Sequence, residues 1–200
     1  WGLSTYIDAL KEAVDAVLAI TGSKDLNMLG ACSGGITCTA LVGHYAASRA
    51  AVVAQGTRWL PEGSNIPLTP GNMAFATMLI SAVSVWWAVD AVGRNDRQMA
   101  YLALGLTMMF GVAVINATSF LYSQIELPVA TAPGALIYTI TGAHLAMVVV
   151  GLVFLAVMVF RTLGGEYAGR DREGLVAAAL FWFVTIAVHA VIWYVIYILK

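Results

Sequence analysis

Four long stretches of this chain contain no Asp, Glu, Lys or Arg, and each could cross a lipid bilayer as a helix. They cover residues 63–89, 98–125, 127–160 and 174–199. A hydrocarbon core of about 30 Å needs about 20 apolar helical residues, and a helix satisfies its own backbone hydrogen bonds, as lipid requires. The pattern predicts four transmembrane helices, at about residues 70–91, 99–122, 135–160 and 175–198. Pro70 marks the start of the first, whereas Pro128 and Pro133 predict a loop before the third.

The first 25 residues have a different pattern, which predicts an amphipathic helix. Apolar residues such as Ile7, Leu10 and Val14 recur at a spacing of three to four, while Asp8 and Lys11 fall on the other face. We expect this segment, residues 1–25, to form a surface helix that precedes the membrane domain.

Residues 26–47 are apolar but ambiguous, and two interpretations stay open. Gly30 and Gly34 form a Gly-xxx-Gly pattern, which lets helices approach closely in lipid, so residues 26–45 could be a fifth transmembrane helix. The same glycines flank Cys32 as Gly-x-Cys-x-Gly, the spacing of a nucleophile elbow between a strand and a helix. The rest of the chain, residues 48–200, then forms the membrane domain.

Composition supports the membrane interpretation. Hydrophobic residues make up 60% of the chain and charged residues 10%, against about a quarter charged in soluble domains. The net charge of −1 provides no basic surface for nucleic acid. The predicted fold is therefore all-α, a polytopic membrane helical bundle with four transmembrane helices and a candidate fifth.

From about Tyr45 onward, several motifs occur in an order that resembles one membrane family. Arg58-Trp59-Leu60-Pro61 is similar to its Trp-Pro loop, and Phe181-Trp182 is similar to the start of its last helix. The stretch from Tyr138 to His144, Tyr-Thr-Ile-Thr-Gly-Ala-His, resembles the family's Tyr-x-x-Thr-Gly-x-His, and Gln124-Ile125-Glu126 matches a helix end loosely. These features resemble subunit III of haem-copper cytochrome c oxidases, in the short bacterial form.

The resemblance implies an accessory, non-redox subunit of a terminal oxidase. Such a chain would pack on the catalytic subunit I beside other respiratory subunits, bind membrane phospholipid and support proton uptake. Haem and copper are expected in the partner subunits, with no cofactor or metal bound by this chain. The location implied is the bacterial inner membrane. The residues expected to contact lipid or other subunits, or to hold the structure, are Glu126, Tyr138, Thr141, Gly142, His144 and Trp182.

The sequence departs from that family at two places. Its last helix usually continues Trp-His-Phe-Val-Asp, whereas Trp182 is followed here by Phe183-Val184-Thr185-Ile186. The family's buried glutamate in its first long helix has no counterpart. Any function that depends on that carboxylate is therefore in question.

Residues 1–47 resemble a different family, the class II polyhydroxyalkanoate synthases, around the cysteine elbow. The resemblance implies that Cys32 matches an acyl-carrying nucleophile, and a truncated cysteine acyltransferase is the alternative function. The aspartate and histidine partners of that family come from segments absent here, and His44 does not match the base. An unassisted thiol lacks the triad machinery, so we expect this activity to be lost. The chain is interpreted as a junction of two unrelated sequences, and its start without Met suggests a fragment or fusion.

The remaining polar residues have simpler interpretations. A histidine within a helix bundle, such as His144 or His189, most often hydrogen-bonds a neighbouring helix. Gly105, Gly111, Gly142 and Gly151 mark places where helices or lipid tails could fit closely. A small transporter is a third hypothesis, which the lack of paired intramembrane charges disfavours.

The distribution of Lys and Arg predicts the orientation. If residues 26–45 span, the N-terminus shares a side with the links that contain Arg94, Arg97 and Arg161. The excess of positive charge there predicts that this side, and the N-terminus, are cytoplasmic.

Overall fold

The computed structural model describes residues 31–64, 66–164 and 173–199, and within them every regular element is helical. The helices are α1 (Ala31–Ala54), α2 (Leu68–Gly93), α3 (Arg97–Gln124), α4 (Ala132–Leu163) and α5 (Glu173–Trp193), and a π-helical turn (Tyr194–Ile198) extends the last. The all-α prediction is thereby confirmed. The amphipathic helix predicted for residues 1–25 lies outside the described residues.

The four predicted transmembrane helices are present as α2 to α5. Each is long and apolar enough to cross a membrane, and α1 falls outside this group of described helices. Their ends lie within a few residues of those predicted. The largest difference is at α4, which begins at Ala132 rather than near residue 135 and includes Pro133 in its first turn. Proline fits there because the first helical N–H groups need no partner within the helix.

The caps explain why two of these helices begin where they do. The carboxylate of Asp96 accepts a hydrogen bond from the backbone N–H of Met99 at 3.2 Å and caps α3. The hydroxyl of Thr131 accepts one from the N–H of Gly134 at 3.2 Å and caps α4. A Cβ at Gly134 would collide with the carbonyl oxygen of Pro128, so this turn requires glycine.

Helix α1 runs without interruption to Ala54, well past Tyr45. Both interpretations of residues 26–47 place a helix from Ser33 onward, and they differ over residues 26–30, which lie outside the described residues. Whether this segment spans the membrane therefore stays a prediction, as does the division of the chain at residue 47.

Short links make consecutive helices from α2 to α5 antiparallel neighbours. Helix α2 packs most extensively on α3, and α5 packs on both α4 and α2, which closes a four-helix bundle. Helix α1 lies against α4 and α5. The ends of α2 and α4 and the starts of α3 and α5 therefore share one end of the bundle.

Two apolar clusters fill the bundle, one toward each end. The first lies where α2 meets α3 and contains Met78, Val85, Ala88, Leu104, Val148, Leu155, Leu175 and Trp182. The second lies at the opposite end and contains Tyr45, Trp59, Leu121, Ile137, Ile140, Ile192, Ile196 and Tyr197. The polar side chains described below lie within or between these clusters.

The outer surface of the helices is apolar as well. Ile80, Val83, Met109, Val153 and Leu180 are each more than half exposed. A soluble monomer rarely exposes so much contiguous apolar surface, whereas a helix in lipid requires it. The chain is accordingly a multi-pass membrane protein.

Candidate functional site

The indole of Trp182 joins all four helices of the bundle at one point. This side chain is fully buried on α5, and its Nε1–H donates to Ser81 Oγ of α2 at 3.0 Å. Its ring lies against Gly111 of α3 and Gly151 of α4, since a Cβ built on either glycine would stand 2.8 Å from an indole carbon. The indole thus occupies space that only glycine leaves open.

Two of the four glycines proposed as close-packing positions do not have that role between the described helices. No atom lies within 4 Å of a Cβ built at Gly105 or Gly142, whereas Gly111 and Gly151 pack tightly. Helices therefore approach closely at Gly111 and Gly151, whereas a close fit of lipid tails at Gly105 and Gly142 stays a prediction. A Cβ would fit at Gly105 and Gly142 without displacing any described atom, so nothing described in the bundle needs their small size.

The motif from Tyr138 to His144 lies on α4 and ties that helix to its neighbours. Tyr122 Oη of α3 and Thr141 Oγ1 are 2.8 Å apart. Thr141 donates its own proton to the carbonyl of Ile137 at 2.7 Å, so Tyr122 is the donor of the bond between the hydroxyls. Tyr138 donates to the carbonyl of Leu127 at 3.3 Å and thereby fastens the link between α3 and α4.

His144 is buried and makes a hydrogen bond between helices, which is the role the sequence suggested for it. Its Nε2 lies 3.2 Å from the carbonyl oxygen of Thr185 on α5. Because a carbonyl can only accept, Nε2 carries the proton in this contact. His189 lies beside it, with ring centroids 4.7 Å apart. Among the described residues, no group of three or more His, Cys, Asp or Glu is placed to hold a metal ion.

The other predicted residues are more scattered. Glu126 is exposed in the link after α3, between the buried Ile125 and Leu127. Gly142 is half-buried on α4. Cys32 is the second residue of α1, and the structure does not describe its side chain. The second cysteine, Cys38, is buried against Met147 of α4, with its sulfur 3.7 Å from Sδ.

Further polar contacts between helices had no signal in the sequence. Ser84 of α2 and Thr107 of α3 are both buried, and their hydroxyl oxygens are 2.7 Å apart. Asn72 of α2 accepts a hydrogen bond from Trp193 Nε1 of α5 at 2.9 Å. Which helix face turns inward decides these pairs, and the weak amphipathicity of such helices does not reveal it.

A groove whose walls include Arg49, Arg58 and Glu62 lies beyond the end of α1. Residues 57–64 line it together with Arg49 and Val53, and its volume is about 500 Å³. Arg58 is exposed there, whereas Trp59 is buried with its ring edge-on to that of Tyr45, at a centroid distance of 5.5 Å. The groove therefore presents an exposed guanidinium group beside a buried indole.

Comparison with known proteins separates two parts of the chain. A protein of Ectopseudomonas oleovorans called poly(3-hydroxyalkanoate) polymerase 2 is 53% identical over 47 residues, which are 24% of this chain and 8% of that protein. This short match fits the interpretation of the chain as a junction of two sequences.

The larger part matches a membrane family. A family model described as cytochrome c oxidase subunit III covers residues 33–200. Cytochrome c oxidase subunit 3 of Struthio camelus is 30% identical over 131 residues, which are 64% of this chain and 50% of that protein. The subunit 3 of Scyliorhinus canicula is 31% identical over 159 residues, 77% of this chain and 59% of that protein. The chain thus spans only 50% to 59% of the length of these two relatives, but the family match extends over most of the chain itself. It belongs to the cytochrome c oxidase subunit III family.

Proposed function

We propose that this chain is an accessory, non-redox subunit of a bacterial terminal cytochrome c oxidase. It packs on the haem-bearing catalytic subunit I, beside other respiratory subunits, in the inner membrane. The family match over residues 33–200, in a chain that forms a four-helix membrane bundle, is the observation that supports this function. Haem and copper chemistry then belongs to the partner.

The outer face of α3 is our candidate for the surface that contacts the partner. Gly105, Asn116 and Ser119 are exposed on this helix. Asn116 lies about five residues from the middle of α3, or roughly 8 Å along its axis, which is inside the hydrocarbon core. A polar side chain there is costly against lipid tails but can hydrogen-bond another membrane protein.

Purification of the tagged chain from its native membranes tests this function. The eluate is expected to contain a haem-bearing subunit and to show the absorbance of reduced haem in the visible range. Gly105→Trp and Asn116→Trp should lower the recovered haem, because each places an indole in the contact surface. Val83→Trp, on the lipid-facing side of α2, serves as the matched control. A stable monomer without haem-bearing partners would refute the proposal.

The groove beyond α1 is our candidate for a phospholipid headgroup. The exposed guanidinium of Arg58 can pair with a phosphate, and the buried indole of Trp59 forms part of the wall of the groove. Trp residues also favour the headgroup level of a bilayer. Arg58→Gln should lower the amount of anionic phospholipid that copurifies, measured by mass spectrometry of extracted lipid. Arg97→Gln, at the opposite end of the bundle, is the control.

For proton uptake, we propose that the chain steadies the proton-input side of its partner and carries no protons through its own helices. The carboxylates within the described transmembrane helices are Asp90 and Glu173, and each lies near a helix end. Asp90 pairs with Arg94 at 2.9 Å. Arg94, Arg97 and Arg161 lie at this end of the bundle, which we assign to the cytoplasm by the positive-inside rule. The N-terminus is then cytoplasmic if residues 26–45 span.

The polymerase match supports a second function, a cysteine acyltransferase centred on Cys32. The one described histidine on α1 is His44, twelve residues on, about 18 Å along a helix axis and too far to act as a base. We therefore expect no acylation of Cys32 by a labelled 3-hydroxyacyl thioester. Stoichiometric labelling that Cys32→Ser abolishes, and Cys38→Ser leaves unchanged, would establish the enzyme instead.

A further inference from the structure

A small cavity lies between α2, α3, α4 and α5, and its walls include several polar side chains. Its volume is about 20 Å³, and Thr118, Thr141, His144, His189 and Tyr197 are among the residues that line it. A cavity needs roughly 10–15 Å³, measured in this way, to hold a water molecule. The space is therefore sufficient for one water.

His189 has an unsatisfied hydrogen-bonding requirement at this cavity. Only 9% of its surface is exposed, and neither Nδ1 nor Nε2 has a hydrogen-bond partner among the described residues. The ring of Phe75 stacks on that of His189 with a centroid distance of 6.2 Å, and the ring of His144 is tilted by 47° with a centroid distance of 4.7 Å. The face of a stacked phenyl ring offers no hydrogen-bond partner to nitrogen atoms that lie in the plane of the imidazole. A buried polar group without a partner is costly, and lipid offers no replacement for one.

Three other polar groups around the cavity are arranged as acceptors. His144 uses its Nε2–H on the carbonyl of Thr185, so its Nδ1 is unprotonated. Thr118 and Thr141 donate their hydroxyl protons to the carbonyls of Val114 and Ile137. A hydroxyl oxygen has two lone pairs. The oxygen of Thr141 already accepts from Tyr122 and keeps one lone pair for a further donor, while that of Thr118 is open to a donor as well.

We propose that the cavity is a binding site for one ordered water molecule, held by His189. The water accepts the ring N–H of His189 and donates its two protons to acceptors among His144 Nδ1, Thr118 Oγ1 and Thr141 Oγ1. Such a water makes about three hydrogen bonds, the usual number for a buried water in a protein. It would link α3, α4 and α5 through their polar side chains, and it does not depend on the oxidase function.

The chain contains three histidines, which makes the site accessible to nuclear magnetic resonance. The full chain, labelled with ¹⁵N in its histidine rings, is reconstituted in lipid bilayers. Polarisation is then transferred from water protons to the ring nitrogens in the solid state, and His189→Phe assigns the His189 signals by their loss. We expect the His189 signal to rise several-fold faster than the signals of buried backbone amides of α3, measured on a uniformly labelled sample. A rise as slow as that of those amides would overturn the proposal, and this comparison needs no variant.

Two variants test how the water is held. Thr118→Val keeps the shape of the side chain but removes one acceptor, and it should lower the transfer rate to His189. Ser119→Ala, at the next, exposed position, should leave that rate unchanged. In His189→Phe the transfer to His144 should fall as well, because the water loses its donor. These side chains do not hold the water if two results are found together. The transfer to His189 is undiminished in Thr118→Val, and the transfer to His144 is undiminished in His189→Phe.

Discussion

Replacing Gly151 by alanine adds one methyl group at a crowded contact of the bundle. The new Cβ would lie 2.8 Å from Cε3 and 3.0 Å from Cζ3 of Trp182. These are atoms of a rigid ring rather than the end of a flexible chain. The indole cannot easily move away, because its Nε1–H is bonded to Ser81 Oγ at 3.0 Å.

The size of the effect follows from a comparison with Gly142 on the same helix. Alanine in place of glycine stabilises a helix by about 1 kcal/mol, and this gain applies at both positions. A Cβ at Gly142 meets no atom within 4 Å, so Gly142→Ala gains this term alone. At Gly151 the methyl group overpacks the core, which typically costs about 1–3 kcal/mol. The gain in helix propensity is the same for both variants and cancels when they are compared. The free energy of unfolding of Gly151→Ala should therefore be lower than that of Gly142→Ala by about 1–3 kcal/mol.

The assay is equilibrium unfolding in mixed micelles of mild detergent and dodecyl sulfate, followed by circular dichroism or tryptophan fluorescence. A second variant locates the cause: Trp182→Phe removes the ring atoms that the methyl group meets, so it should reduce the cost of Gly151→Ala in a double-mutant cycle. Equal stability of Gly151→Ala and Gly142→Ala would refute the packing argument. Full additivity in the cycle would refute the role of Trp182.

Three further predictions concern hydrogen bonds and orientation. Ser84→Ala removes a buried hydrogen bond to Thr107. It should lower the free energy of unfolding by about 0.6 kcal/mol, and by at most about 1.7 kcal/mol, in the same unfolding assay. The control Thr77→Ala, which removes an exposed hydroxyl on α2, should have a smaller effect. Tyr122→Phe deletes the donor to Thr141 and should lower stability by a similar amount. The loss of stability caused by Tyr122→Phe should be smaller when Thr141→Val is already present, and an equal loss would contradict the assigned pair. Alkaline phosphatase fused after α5 should be active and a fused green fluorescent protein dark, since the proposed orientation places that end outside the cytoplasm; the reverse pattern would invert the assignment.

The transmembrane helices could be predicted from the sequence because length and missing charge suffice in lipid. Helix α4 shows where this argument stops: Pro133 was expected in a loop, yet it lies in the first turn of the helix. A proline is compatible with both positions, and the choice depends on the Thr131 cap, whose geometry is visible only in the structure.

The contacts between helices were far less predictable. Gly142 and Gly151 are the same residue on the same helix, but only Gly151 faces Trp182. The rotation of each helix about its axis decides this, and helices that are apolar on every side give little indication of it. The sequence could flag His144 and Trp182 as buried polar side chains in need of partners. Their partners, the Thr185 carbonyl and the Ser81 hydroxyl, follow from the packing of distant segments.

The most direct test of the account is a density map, from electron cryomicroscopy, of the assembly purified through a tag on this chain. The account predicts that α2 to α5 lie in the detergent or lipid belt, with the exposed face of α3 around Asn116 in contact with a haem-bearing subunit. A map in which the chain stands alone, or in which its partners lack haem, would contradict it.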